Sequence, residues 1–182
     1  DLRIKEVIIG NGITNVSEYC FNECSNLTKV TMGDDIEIIG NFAFSKCKEL
    51  VSVDLPDSLR TIEKFGFYYC LKLTDIKFPD SLETIKDYAF GICYGFTKAE
   101  LPDSIIKLEP NAFGACKNLE TVTIGSGLVS IKSNTFSECL KLCSIEVSEN
   151  NKTYSSVDGV LYNKAKKRFF YNLVKQRNKL FL

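Results

Sequence analysis

Apolar and polar residues alternate, then widen their spacing, and the same switch recurs along most of the chain. In the stretch beginning at Val51, Val53 and Leu55 are apolar between polar Ser52 and Asp54, the period of a strand. Pro56 ends that strand because it has no N–H to donate. Pro56-Asp57-Ser58 reads as a tight turn, with proline presetting φ and Asp or Ser capping nearby backbone groups. Leu59 and Ile62 are the inward positions of a second short extended piece. Ile62, Gly66, Phe67 and Cys70 then fall at helical spacing, which predicts a short helix from Glu63 to Cys70. Leu73 closes the unit.

The whole sentence repeats every 23 residues: cysteine stands at positions 24, 47, 70, 93, 116 and 139. Phenylalanine holds a second fixed slot at Phe21, Phe44, Phe67, Phe90, Phe113 and Phe136, predicting an aromatic spine through the core. Six units run from 5 to 142 without insertion, and a period in this range marks a leucine-rich solenoid. With a final strand, the solenoid domain occupies 1–146. In the capping segment, 147–182, apolar stretches Val157 to Tyr162 and Arg168 to Tyr171 flank the polar Asn163 to Lys166, which reads as a β-hairpin. The predicted fold class is therefore an α/β repeat solenoid. Parallel strands stack about 4.8 Å apart and helices about 8–10 Å apart, so the strands line the concave side of an arc and the short helices its convex side.

The Leu55-Pro56-Asp57-Ser58-Leu59 turn and the Ala43-Phe44-Ser45-Lys46-Cys47 pattern resemble the BspA-like, or Treponema-type, leucine-rich repeat. The segment Tyr154 to Lys164 is similar to the hairpin unit that closes such arrays, and Ile4 to Ile13 to their usual first repeat. One departure is that Asn172-Leu173-Val174 follows the second hairpin strand, where the family usually has proline. The resemblance implies a right-handed solenoid. It also implies a secreted or cell-surface protein of a host-associated bacterium or protozoan parasite, active in adhesion and protein binding.

The composition narrows the chemistry. With no histidine, neither a Ser-His-Asp nor a Cys-His arrangement exists. No phosphate loop or dinucleotide fingerprint is present, and no apolar run approaches the roughly 18 residues of a membrane helix. These features point to a non-enzymatic protein without a cofactor or membrane span. All 23 acids lie at or before Asp158, and seven bases lie after it, from Lys164 to Lys179. This basic end reads as a polar cap rather than a nucleic-acid site; an anionic-polymer site is the alternative. At helix spacing the ladder cysteines are too far apart for disulfides, which predicts buried free thiols. The pairs Cys20/Cys24 and Cys139/Cys143 lie at opposite ends of the array and cannot form a four-ligand zinc site. Asp34, Asp57, Asp80 and Asp103 form a ridge better explained by turn capping than by calcium. Asn15, Asn26 and Asn151 head glycosylation triplets, which a chain rich in Asn, Ser and Thr contains by chance.

Two surfaces are candidate sites for a protein partner or for self-association. On the concave face, Lys29, Asp54, Asp75, Lys77, Lys98 and Glu100 form files in which Glu6–Lys29, Asp75–Lys98 and Asp54–Lys77–Glu100 are opposite-charge neighbours. On the convex flank, Phe65, Tyr68, Tyr69, Tyr88, Ile92 and Tyr94 form an apolar patch absent from other units. The competing explanation is packing, since Tyr19, Phe42, Phe65 and Tyr88 share one slot in the first four units. The residues thus describe a leucine-rich repeat protein for extracellular or cell-surface binding, with a structural spacer as the alternative from another class.

Overall fold

Each unit is one turn of a β-solenoid with two walls of parallel strands and one wall of turns. A computed structural model describes residues 3–165, apart from the side chain of Asp75, and the backbone of Arg168–Phe169. The strand wall holds β1 (Glu6–Ile9), β3 (Lys29–Met32), β5 (Ser52–Asp54), β7 (Asp75–Ile76), β9 (Lys98–Leu101), β11 (Thr121–Ile124) and β13 (Ser144–Val147). The second wall holds six two-residue strands: β2 (Asn15–Val16), β4 (Ile38–Ile39), β6 (Thr61–Ile62), β8 (Thr84–Ile85), β10 (Lys107–Leu108) and β12 (Ser130–Ile131). Paired residues are 23 apart throughout, as in Lys29↔Ser52 and Ile39↔Ile62. The second wall is one continuous sheet, whereas the strand wall is divided into β1-β3-β5-β7 and β9-β11-β13.

The Pro-Asp-Ser turns knit successive units together. The hydroxyls of Ser58, Ser81 and Ser104 each donate to a carbonyl of the preceding unit, those of Ile36, Leu59 and Leu82, at 2.7 Å. Inside, Phe44, Phe67, Phe90, Phe113 and Phe136 are fully buried, and successive spine rings stack at 5.2–5.7 Å. Phe21 is only half-buried; among the described residues its ring stacks on Phe44 alone.

The expected convex helices are not there: the described residues contain no helix. The third wall is instead a ladder of three-residue turns. In the second unit the N–H groups of Ala43, Ser45 and Cys47 bond back to Gly40, Phe42 and Phe44. The alternate N–H groups, on Phe42, Phe44 and Lys46, reach forward to Lys64, Gly66 and Tyr68 of the next unit at 2.7–3.0 Å. Phe42 and Lys46 achieve this with positive φ, 54° and 62°. The same two columns carry positive φ at Tyr19, Phe65, Tyr88 and Asn111 and at Glu23, Tyr69, Ile92, Ala115 and Glu138. Left-handed backbone costs an L-residue roughly 1–2 kcal/mol. Here it turns N–H groups sideways into a main-chain ladder that an α-helix, bonded only within itself, cannot make. The inward residues Ile62, Gly66, Phe67 and Cys70 are buried as the spacing requires, so the periodicity identifies the core face but not the backbone. Because this wall also rises by about a strand spacing per unit, the widening expected to bend the solenoid into an arc is missing.

The same correction changes the argument about cysteine. The elements bearing the ladder cysteines stack far closer than helices, so distance does not keep them apart, yet all eight cysteines are free. Each thiol from Cys47 to Cys139 donates to the phenylalanine carbonyl of the preceding unit at 3.1–3.2 Å, as Cys70 does to Phe44. Cysteine suits the slot because it is small and apolar and has one weak donor. Burial pushes the Cys47 and Cys93 thiols up to about 12, and those of Cys70 and Cys116 well above their ordinary value. Cys20 and Cys143, at the two ends, are exposed.

The C-terminal end is closed by a three-stranded antiparallel sheet of β14 (Tyr154–Val157), β15 (Val160–Asn163) and β16 (Arg168–Phe169). The expected pairing around Asn163 to Lys166 is present, with Tyr162 opposite Phe169. A second hairpin precedes it. Asp158 and Gly159 both have positive φ, as a tight two-residue hairpin turn demands. The N–H of Ile145 donates to Gly159 at 2.8 Å, which joins the cap to β13. Fully buried Asn151 locks the junction. Its side-chain nitrogen donates to Gly125 and Leu128, and its side-chain oxygen accepts from the N–H groups of Thr153 and Tyr154. That burial removes Asn151 from consideration as a glycosylation site.

Candidate functional site

The turn wall brings most of its candidate residues together. Tyr19, Phe42, Phe65 and Tyr88 stack in a continuous column, with ring centroids 4.8, 4.6 and 5.2 Å apart. They occupy one of the positive-φ columns, so stacking accompanies the strained backbone. Tyr68 meets Phe65 edge-on at 5.3 Å and Tyr88 at 6.3 Å, and Tyr69 lies 6.1 Å from Tyr68. Gly91 makes room for this cluster: a Cβ there would meet Tyr88 and Tyr68 at 3.0–3.1 Å. Phe65, Tyr68, Tyr69 and Ile92 are half-buried, whereas Tyr19 and Tyr88 are 52% and 37% exposed. The column packs against itself, as the packing explanation expects, while Tyr19 and Tyr88 within it remain exposed.

Ile92 is a β-branched residue at φ 61°, a backbone region that such residues rarely occupy. It continues the Tyr69 column along the wall. Tyr94 has different company: its ring lies under the ammonium of Lys117 at 5.4 Å, and its carbonyl accepts from Asn118. The sequence reading missed the polar half of the site. Tyr68 and Tyr69 form one side of a surface groove of about 480 Å3 whose other side is Glu23, Ser25, Lys46 and Lys48. The Lys48 ammonium lies 5.9 Å from the Tyr69 ring, and Lys46 pairs with Glu23 of the preceding unit. That pair holds the exposed Glu23 carboxyl below its usual range and the Lys46 ammonium above its own. The signal was present as a 23-residue spacing between unlike charges.

The strand wall does not form the expected chain of ion pairs. Lys29 reaches Asp54 at 3.8 Å, and Lys98 pairs with Glu100 of its own strand at 2.9 Å. Asp54–Lys77–Glu100 is not assembled, because β7 ends at Ile76 and Lys77 is exposed without an ion-pair partner among the described residues. The side chain of Asp75 lies outside the described residues. Repeating ion pairs run elsewhere, through Arg60–Glu83, Lys72–Glu49 and Lys86–Glu63, each 23 apart.

On the aspartate ridge, the carboxylate of Asp103 does not cap its own turn but bonds the turn of the next unit. Asp103 accepts from the N–H of Ser126 at 2.6 Å, and this bond holds its carboxyl below the ordinary range. Among the described residues, no group of three His, Cys, Asp or Glu is placed to hold a metal ion. No helix there is long and apolar enough to cross a membrane. Of the basic C-terminal residues, Lys164 donates to the Asn151 carbonyl; the side chains from Lys166 to Lys179 lie outside the described residues.

A family model described as BspA type leucine rich repeat region matches residues 1–94 and 60–157, in six copies. Among solved structures, a leucine rich repeat protein of T. pallidum superposes with a TM-score of 0.75 at 28% identity, over 78% of this chain and 69% of that one. The pneumococcal vaccine antigen PcpA gives 0.65 at 26%, covering 96% of this chain and 38% of its own. A leucine rich cell surface protein of Faecalibacterium prausnitzii shares the fold, with a TM-score of 0.64 at 24% identity over 87% of this chain and 51% of that one. No curated protein matches the chain.

Proposed function

Because the chain belongs to the BspA-type leucine-rich repeat family, we propose that it is a non-enzymatic binding module that works outside the cell or on its surface and makes a protein contact through the aromatic strip of the turn wall. A structural neighbour named as a cell surface protein supports the location. The observation that carries the contact is the half-exposed cluster of Phe65, Tyr68, Tyr69 and Tyr88 beside a lysine-lined groove. Aromatic side chains with a polar tip supply large contact area and dominate binding hot spots. Lysine stems along the groove add apolar surface while their ammonium groups stay in water.

Tyr69→Asp with Ile92→Asp tests this reading cleanly. Both positions have positive φ, which Asp tolerates better than Tyr or Ile, so the fold is not penalised at the backbone. Wild type and double variant are compared by sedimentation velocity for self-association, and for binding to a panel of purified extracellular-matrix proteins. The proposal expects association to fall with an unchanged Tm. Association that persists in the double variant overturns the site.

A further inference from the structure

The strand wall is interrupted once, between β7 and β9. β7 pairs with β5, and β9 pairs with β11, yet β7 and β9 belong to different sheets. The same two units stay joined on the other walls. Leu108 pairs with Ile85, and the N–H of Phe90 donates to Ala112 at 2.8 Å. The fourth and fifth units therefore part only along the strand wall.

Packing explains the opening. Phe78 stands where neighbouring units have Leu55 or Leu101, and Phe96 where they have Leu73 or Leu119. Both rings pack edge-on against Phe90, at 5.4 and 5.6 Å, and against Phe113 of the next unit at 6.2 Å. Between them Ala99 fills an inward slot held elsewhere by Val53, Ile76 or Val122. Two large rings and one short side chain replace the uniform branched layer that would hold adjacent strands in register.

The ladder also fixes which backbone groups face the opening. The N–H of Thr121 donates back to Thr97, so this position in each strand faces the preceding unit and the next residue faces the following one. By that alternation Ile76, on one side, and Lys98 and Glu100, on the other, turn their N–H and C=O groups toward the gap. No strand pairs with them there. The gap is a groove of about 420 Å3, within the roughly 300–1,000 Å3 of ligand pockets. Ile76, Phe78, Ala99 and Leu101 form its apolar lining, and Lys77 lines it without an ion pair among the described residues. Lys98 is engaged by Glu100, and Asp80 also lines the groove, which opposes a second acidic group.

We propose that this groove accepts an extended peptide segment of a partner protein, which pairs with the open edges of β7 and β9 and sets one acidic side chain against Lys77. Main-chain bonding to sheet edges supplies affinity in such complexes, and alternate side chains supply specificity. The inward-facing residues of the segment are small and apolar, because the lining they meet is Ile76, Phe78, Ala99 and Leu101. The inference rests on the reading of the chain as a protein-binding module but uses a different wall.

The probe is a fluorescein-labelled peptide of about six residues, the usual strand length, alternating Val with polar residues, one of them Glu and the others Ser. Its backbone N-methylated form and an acidic oligosaccharide are the controls. Binding is followed by anisotropy and by amide chemical shifts. The alternating peptide is expected to shift the amides of Ile76, Lys98 and Glu100, and the N-methylated peptide to fail. Lys77→Glu, a surface change, should weaken binding about threefold to fivefold, the size of one exposed ion pair. Phe78→Leu with Phe96→Leu and Ala99→Val restores the regular layer and should abolish binding. No peptide binding, equal binding of the N-methylated form, indifference to Lys77→Glu, or shifts at these amides with the oligosaccharide alone would overturn the proposal. Loss of peptide binding in Tyr69→Asp with Ile92→Asp would also overturn it, by placing the peptide on the turn wall. Failure of the peptide to bind leaves the turn-wall contact to be judged by its own variant.

Discussion

At the junction of the fourth and fifth units, the turn wall is continuous and the strand wall is open. On the turn wall the facing side chains are the same in both units, Ala89 over Ala112 and Phe90 over Phe113, and the Phe rings stack at 5.3 Å. On the strand wall the facing layers differ, with Phe78 and Phe96 next to Ala99. A solenoid stays zipped where successive layers have equal thickness and opens where they do not. Close-packed interiors transmit such volume differences to the backbone instead of absorbing them. The repeat length sets the register of all three walls, but each wall is held together by its own side chains.

The strongest test of the turn wall is alkaline pH, because the ladder thiols lie just inside it. Burial keeps the thiols of Cys47, Cys70, Cys93 and Cys116 protonated in the fold, whereas in the unfolded chain they ionise near 9. The folded pKa values are raised, so stability is fully present below about 9 and is lost as pH rises toward about 12. Each pH unit in that window removes about 1.4 kcal/mol per thiol. Urea midpoints are expected to be flat from neutral to about pH 9 and then to fall; a flat profile beyond that breaks the claim of a sealed wall. In the same protein a thiol reagent should label Cys20 and Cys143 first.

Next in size is Phe90→Ala. Phe90 contacts the spine and both wedge rings, so its removal should cost about 3–5 kcal/mol. Phe21→Ala, at the half-buried end, should cost clearly less, and equal losses by denaturant titration would contradict a one-dimensional array. Asn151→Ala leaves the Gly125 and Leu128 carbonyls without their partner and should cost about 1–3 kcal/mol. Its amide-exchange signature should be confined to the cap and the last unit. The smallest effect sharpens the comparison directly. Amides of Lys98 and Glu100 should exchange faster than those of Thr31 and Thr123, which lie in intact ladders. Ile92→Asn, at φ 61°, should raise stability by under about 1 kcal/mol, measured as a small rise in Tm.

Much of this was legible in the chain. The inward slots follow from apolar spacing, and Cys143 was separable from the ladder by position, whereas Cys20, in the small slot that alanine or glycine fills in other units, is exposed. The convex helices were misread because repeated three-residue turns and an α-helix bury residues at nearly the same intervals: Ile62, Gly66, Phe67 and Cys70 satisfy both. The first hairpin of the cap was indicated only by the resemblance of Tyr154 to Lys164 to the family's closing hairpin unit, although Asp158-Gly159 is by itself a strong hairpin signal. On the candidate sites, residues 23 apart do become neighbours, as Phe65 and Tyr88 show. Opposite charge at that spacing was not enough on the strand wall, because Lys77 follows the last paired residue of β7.

The sequence by itself determined the repeat, its register, the family and the composition of the core, because a 23-residue period leaves each unit only its neighbours to pack against. Tertiary structure alone decided the backbone of the third wall and the continuity of the first. Left-handed φ at Phe42 or Ile92 is unfavourable in an isolated unit and persists because the next unit supplies a carbonyl, from Lys64 or Gly114, at hydrogen-bonding distance. The opening between β7 and β9 likewise depends on how Phe78, Phe96 and Ala99 share one volume, a property of the packed layer and of no residue within it.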